Sequence, residues 1–233
     1  MSIDDPINAY HARVVAGAIH ADPAQVHVVD RLQSLHSALL EIREPVPVLQ
    51  RLCRLLATDR QTCNGPKGLY IHGPPGRGKS MLMDMFFETA PIETRRRVHV
   101  HPFMQEIHAR LHEWRQEGAG SQNQDPLARL AGEIAQASPL LCFDEFQVEA
   151  VADAMIVRRL FEAVLDLGVT IVATSNTAPD DLYAGGLQRE RFLPFIDLLQ
   201  QRMDVIELRG ETDYRRDRLK SVGVYHAPLG PAA

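Results

Sequence analysis

Gly73-Pro74-Pro75-Gly76-Arg77-Gly78-Lys79-Ser80 is the stretch on which the reading of this chain turns. It fits the pattern G-x-x-x-x-G-K-[ST], and its flanks agree. Leu69-Tyr70-Ile71 reads as a short buried strand before it, and Met81 to Phe87 as a helix after it. A polyphosphate must be wrapped by backbone N–H groups, and only a loop poor in side chains lets the backbone approach closely. Gly73, Gly76 and Gly78 supply that loop, with Pro74, Pro75 and Arg77 between them. The helix behind it offers unpaired N–H groups and the positive end of its dipole. Lys79 adds a mobile cation for the β- and γ-phosphates, and Ser80 a hydroxyl for Mg²⁺. The expected ligand is a nucleoside triphosphate with magnesium.

Outward from this loop, a second stretch carries the chemistry. Leu140-Leu141-Cys142-Phe143 is an apolar run that stops abruptly in Asp144-Glu145. A buried parallel strand ending this way places both acids at its C-terminal edge, where α/β sheets bind ligands. Asp144 is expected to hold Mg²⁺ through its water shell, and Glu145 to orient and deprotonate the attacking water. Val169 to Asn176 is another buried strand running into polar residues, and Asn176 would sit at the edge beside Asp144, where an amide grips phosphate and water. Later, Arg189 and Arg191 flank Glu190 just before a helix to Met203 and a last strand, Asp204 to Leu208. Glu190 can neutralise only one of them well, and a guanidinium reaching a neighbouring subunit's nucleotide would stabilise transition-state charge.

The rest reads mainly as scaffold. Ile7 to Ile19 has helical spacing, and Asp22-Pro23-Ala24-Gln25 is a helix start in which Gln25 stands at the capping-box position. Capping accounts for Gln25, although an amide just ahead of a nucleotide fold could also read the adenine edge. The helix beyond carries Val26, Val29, Leu32, Leu35, Leu39 and Leu40 on one stripe, and Pro45 and Pro47 end it. An amphipathic piece at Val48 to Ala57 and a loop at Cys63 to Pro66 lead to the first strand. Arg95-Arg96-Arg97 precedes an alternating strand, Val98 to His101, and reads as a solvated face or as a contact for phosphate or acidic partners. His99 and His101 would share one side of that strand, the spacing of a metal pair without a third ligand nearby in sequence. Helices follow at Phe103 to Trp114, from the Asp125-Pro126 cap, and at Val148 to Leu167, closed by Gly168; Gln116 to Gln124 is a polar loop.

Composition narrows the class. With 233 residues, 45% hydrophobic and 24% charged, the chain suits one large domain, or one domain plus a small appendage. A net charge of −5 provides no global basic field for nucleic acid or an anionic membrane. Three cysteines without metal-type pairing, an acidic start unlike a signal peptide and the lack of a long apolar run lead to the expectation of a cytoplasmic protein.

Taken together, these motifs resemble the AAA+ ATPases. The wording of Phe143-Asp144-Glu145-Phe146, Asp153-Ala154-Met155, Val172 to Asn176, Leu182-Tyr183, Gly186-Leu187-Gln188-Arg189 and Arg191-Phe192-Leu193-Pro194 is similar to the ZapE and Afg1-like ATPase family. The likeness runs from about Asp22 to Tyr225. It implies an α/β P-loop fold with a parallel five-stranded sheet of order 5-1-4-3-2, flanked by helices and preceded by an N-terminal helical extension. It implies ATP and Mg²⁺ as ligands, with Lys79 and Ser80 as Walker A contacts, Asp144 and Glu145 as the Walker B pair, and Asn176 as sensor 1. Arg191 is the preferred arginine finger and Arg189 the alternate. Self-association through the nucleotide boundary and association with the division protein FtsZ are implied partners; a helicase-loader role near DNA is a weaker alternative. The expected division is 1–60 helical extension, 61–210 AAA+ core and 211–233 a truncated C-terminal segment. Gly210 to Ala233 holds Tyr214-Arg215-Arg216 and Val222 to Tyr225, too little for the helical lid of that family, which leaves a nucleotide-dependent binding module as a second reading.

Overall fold

The computed structural model describes residues 5–43, 65–116, 125–148 and 150–210. The expectations for Val48 to Ala57, for Cys53 and Cys63, for most of the loop at 116–124 and for residues 211–233 lie outside the described residues.

Asp-Pro pairs open helices along the chain. Asp5 accepts from the Asn8 N–H at 2.8 Å at the head of α1 (Pro6–Val15). Asp22 accepts from Ala24 N–H at 2.8 Å before α2 (Pro23–Arg43), and Asp125 from Leu127 N–H at 3.2 Å before α5 (Pro126–Ala137). The carboxylate satisfies an orphan N–H, and proline occupies a position whose own N–H is not needed. Between α2 and α5 come β1 (Gly68–His72), α3 (Lys79–Thr89), β2 (Arg95–His99) and α4 (Val100–Gln116). β3 (Leu140–Asp144), α6 (Val151–Asp166), β4 (Thr170–Ser175), α7 (Leu193–Arg202) and β5 (Met203–Glu207) follow.

The five strands form one parallel sheet in the order β2-β3-β4-β1-β5, the expected order viewed from its other edge. Alternation along the central strands sorts the core into two layers. Tyr70, Leu141, Phe143, Ile171 and Ala173 face α4 to α7, where Phe103, Phe146, Phe161 and Phe195 join them. Leu69, Ile71, Leu140, Cys142 and Val172 face α1, α2 and α3. The N-terminal helices therefore cover one side of the sheet. Cys142 is buried there, and burial pushes its thiol up to about 12.

Two readings of the sequence are corrected. The three arginines do not precede β2 but form it: Arg95 pairs in register with Leu140 and His99 with Asp144, and the chain turns into α4 at Val100, with Pro102 in the first turn. His101 is thus helical, the shared strand face with His99 does not exist, and no group of three or more metal-ligating side chains occurs among the described residues. Long charged side chains suit β2 because it is a sheet edge. On α2 the buried stripe runs through Val28, Val29, Leu32, Leu35 and Leu39, while Val26 and Leu40 stand 40% and 44% exposed. Both lie off the face that meets α1, α3 and the sheet.

Candidate nucleotide-binding site

The loop after β1 is held from below before any ligand is considered. Gly73 N–H donates to Ser175 O at 3.2 Å, and Leu208 N–H to His72 O at 2.7 Å. Gly73 takes φ 150°, and a Cβ there would stand 2.6 Å from Leu208 O. Gly78 takes φ 87°, and a Cβ there would press within 2.9 Å of Gln25 Nε2. Gly73 therefore requires glycine on two counts, conformation and the nearness of a backbone carbonyl, and Gly78 on conformation. Lys79, mostly buried, donates from Nζ to Gly73 O at 2.7 Å and to Pro74 O at 2.8 Å, so its ammonium lies across the mouth of the loop.

Asp144 is the centre of the polar network. Its Oδ1 accepts from Ser80 Oγ at 2.8 Å, from Thr174 Oγ1 at 2.6 Å and from Glu145 N–H at 3.1 Å. Its Oδ2 accepts from the Arg97 guanidinium at 2.7 Å. The strand order explains the convergence: β4 lies between β3 and β1, so Thr174 sits between the strand-end acid and the phosphate loop. Glu145 adopts φ 53°, which turns the chain sharply after β3 and leaves its side chain exposed at the wall of a cavity. Phe146 N–H donates to Thr174 O, and Ser175 Oγ to Phe146 O at 2.8 Å, locking that turn to β4. Asn176 is exposed at the same cavity wall. Its loop is pinned from β1 by Tyr70, whose hydroxyl donates to Thr177 O at 2.9 Å; burial drives the phenol pKa above its ordinary value.

The N-terminal helices close the other wall. Gln25 is 2% exposed; its Nε2 donates to Arg77 O at 3.0 Å, and its Oε1 accepts from the Tyr10 hydroxyl at 3.3 Å. The capping-box expectation is thereby corrected. The Asp22 N–H that Gln25 would have served donates instead to Tyr10 Oη at 3.1 Å, which frees the amide to reach the phosphate loop. Asp22 Oδ2 accepts from the Arg77 guanidinium at 2.8 Å, and the same guanidinium donates to Arg209 O at 3.0 Å. One arginine within the loop thus ties together α2, the loop and the end of β5.

Between these walls lies a cavity of about 510 Å³, bordered by Gln25, Gly78, Lys79, Ser80, Glu145 and Asn176 among others. That is cofactor size. Its donors fit a magnesium nucleotide: a ring of loop N–H groups, one ammonium, and a hydroxyl and carboxylate, both hard oxygen donors, 2.8 Å apart. A model of the AFG1-like ATPase family matches residues 5–233. The chain belongs to that family. The cell division protein ZapE of Escherichia coli (strain K12) is 36% identical over 230 residues, which cover 96% of this chain and 60% of that protein. Lactation elevated protein 1 homolog B of Danio rerio is 41% identical over 174 residues, 72% of this chain and 35% of that protein. The chain thus spans less than two thirds of these relatives. Among solved structures, DnaI overlays with a TM-score of 0.53 at 18% identity, over 81% of this chain and 87% of that one. The fold of this AFG1-like ATPase is therefore the P-loop AAA+ fold.

In this AFG1-like ATPase the structure gathers Gln25, Gly76, Gly78, Lys79, Ser80, Glu145 and Asn176 around one cavity, with Asp144 directly behind Ser80. It does not bring Arg189 or Arg191 there. Both lie on a 3₁₀ turn, Arg189–Arg191, after Gln188; Arg189 donates to Asp180 O, while Arg191 is exposed. The three arginines of β2 have separate partners. Arg95 donates to Ala90 O and Ile92 O, both at 2.8 Å, and Arg96 pairs with Glu106, holding that carboxyl below its usual range. Arg97 bridges Asp144 and Asp84. The sequence reading missed Thr174 as a partner of Asp144. The signal was present, a hydroxyl two positions before Asn176 at the end of a buried strand, but only the strand order shows what it faces.

Proposed function

We propose that this AFG1-like ATPase binds ATP with magnesium in this cavity and hydrolyses it, with the site completed between subunits. The observation that carries the reading is the 2.8 Å contact between Ser80 on the phosphate loop helix and Asp144 at the end of β3, which supports reading the two motifs as one ligand set. Lys79 and the loop N–H groups hold the β- and γ-phosphates. Ser80 and Asp144 would hold the magnesium, which would supply neutralising charge for the phosphoryl oxygens. Glu145, exposed at the cavity wall, takes the proton of the attacking water, and Asn176 orients that water. Arg191 from a neighbouring copy, or Arg189 in its place, stabilises the charge of the transition state.

Residues 1–60 serve as a helical extension, 61–210 as the nucleotide-binding core and 211–233 as a C-terminal segment. In keeping with the name of its relative, the cell division protein ZapE, turnover is used to remodel protein partners at the bacterial division site, FtsZ among them, in the cytoplasm. No described helix is long and apolar enough to cross a membrane.

ATP turnover measured against protein concentration tests this. Specific activity that climbs with concentration is expected, and a flat trace near zero would refute it. Glu145→Gln should abolish phosphate release while retaining nucleotide. If that variant kept the full effect on a partner, the protein would be a nucleotide-dependent binding module.

A further inference from the structure

Arg97 reaches two carboxylates at once. Its Nε stands 2.9 Å from Asp84 Oδ1 on α3, and its terminal nitrogen donates to Asp144 Oδ2 on β3 at 2.7 Å. Asp84 lies one helical turn beyond Ser80, on the same face of α3. The orientation of Asp144 does not depend on this contact, because Oδ1 is already fixed by Ser80, Thr174 and the Glu145 N–H. What Arg97 adds is a permanent positive charge against a carboxylate whose side chain is only 5% exposed. It leaves the trio with one net negative charge instead of two.

We propose that Arg97 is a positioning residue that tunes the magnesium affinity of the Ser80–Asp144 pair, holding Asp144 as a partly neutralised carboxylate shared with Asp84. The inference rests on the nucleotide reading above. A resident cation beside a metal-holding carboxylate weakens its pull on a divalent ion, and Asp84 in turn draws that cation partly away. The two partners therefore act in opposite directions. Removing Arg97 strengthens the hold on magnesium, and neutralising Asp84 weakens it. A contact that merely tied α3 to β3 would give no such opposition.

The test is equilibrium binding of a fluorescent, non-hydrolysable ATP analogue to the full chain at fixed nucleotide, with free magnesium titrated and thermal melting recorded alongside. Arg97→Met should lower the magnesium midpoint by about three- to ten-fold, and Asp84→Asn should raise it by about two- to five-fold. Arg97→Lys restores the charge without the two-pronged geometry and should return the midpoint most of the way to wild type. A folded Arg97→Met protein whose midpoint is unchanged or raised overturns the inference. Should that variant not fold, an Asp84→Asn midpoint at or below the wild-type value overturns it equally. Wild-type protein whose nucleotide binding ignores magnesium would overturn the nucleotide reading itself, and this inference with it.

Discussion

Asp22→Asn is the perturbation whose cost can be worked most directly from the structure. The Asp22–Arg77 pair spans 2.8 Å, and the two side chains are 9% and 4% exposed, so solvent screening does little to weaken it. Removing one partner of a buried pair costs about 3–5 kcal/mol, mostly because the other charge is left uncompensated. Arg77 keeps the Arg209 carbonyl as an acceptor, which places the expected cost near the low end, about 3 kcal/mol. Asparagine retains the cap on Ala24 N–H, whereas Asp22→Ala also loses it, for about 1 kcal/mol more. At this chain length each kcal/mol shifts Tm by about 2–4 °C. The expected losses are about 6–12 °C for Asp22→Asn and a further 2–4 °C or so for Asp22→Ala. Thermal and urea unfolding followed by far-UV circular dichroism measure both. A cycle with Arg77→Met isolates the pair, and the double variant should be more stable than the sum of the single losses by about 2 kcal/mol. Additivity within about 0.5 kcal/mol would refute the pair as a structural tie.

Two further outcomes are expected. Thr174→Val removes the shortest hydrogen bond to Asp144 without changing shape, and should cost about 1.5–3 kcal/mol in urea unfolding, with Thr174→Ser restoring most of it. A loss below about 0.5 kcal/mol would mean that Ser80, Arg97 and the Glu145 N–H hold the carboxylate without it. His72 has its pKa pulled below its ordinary 6.5, first by burial, with Glu207 opposing and Lys79 and Arg209 adding to the shift. Because the unfolded chain then takes up this proton at higher pH than the folded one, stability should fall as pH drops through 6.5 and level off below the folded value. His72→Gln should flatten that part of the stability curve, from its ordinary 6.5 downward, and identical slopes in both proteins would show that His72 does not cause it.

The phosphate loop and the strand-end acids were legible because each is contiguous: residues adjacent in sequence come to one edge of the sheet, beside the same cavity. The Asp-Pro helix starts were legible for the same reason, since a cap acts within two or three positions. Contacts across the sheet were not. Arg97 aligns with Cys142, two positions before Asp144, and only the pairing of β2 with β3 and the reach of a long side chain bring its guanidinium to that carboxylate. Local spacing promised a capping box at Gln25, but its amide is taken by Arg77 O, 52 positions later. The β2 boundary failed because alternation of Val98 to His101 looks the same in a strand and in a strand that becomes a helix at Val100. Pro102 was the clue that favoured the helix.

The buried ties around Arg77 also bear on how the N-terminal helices relate to nucleotide. Gln25 holds the Arg77 carbonyl, Asp22 its guanidinium, and Tyr10 reaches both Asp22 and Gln25. The same guanidinium grips Arg209 O just beyond β5. The phosphate loop is therefore shaped by contacts from α1, α2 and the β5 end. A loop held this way loses little freedom when a ligand arrives, and that preorganisation strengthens binding. By the same reasoning, displacing α2 would loosen Gly78 and Lys79 along with Arg77. On the proposed reading of the cavity, nucleotide and the docking of α1 and α2 would stabilise each other to the same degree, because the coupling between two equilibria on one molecule is reciprocal.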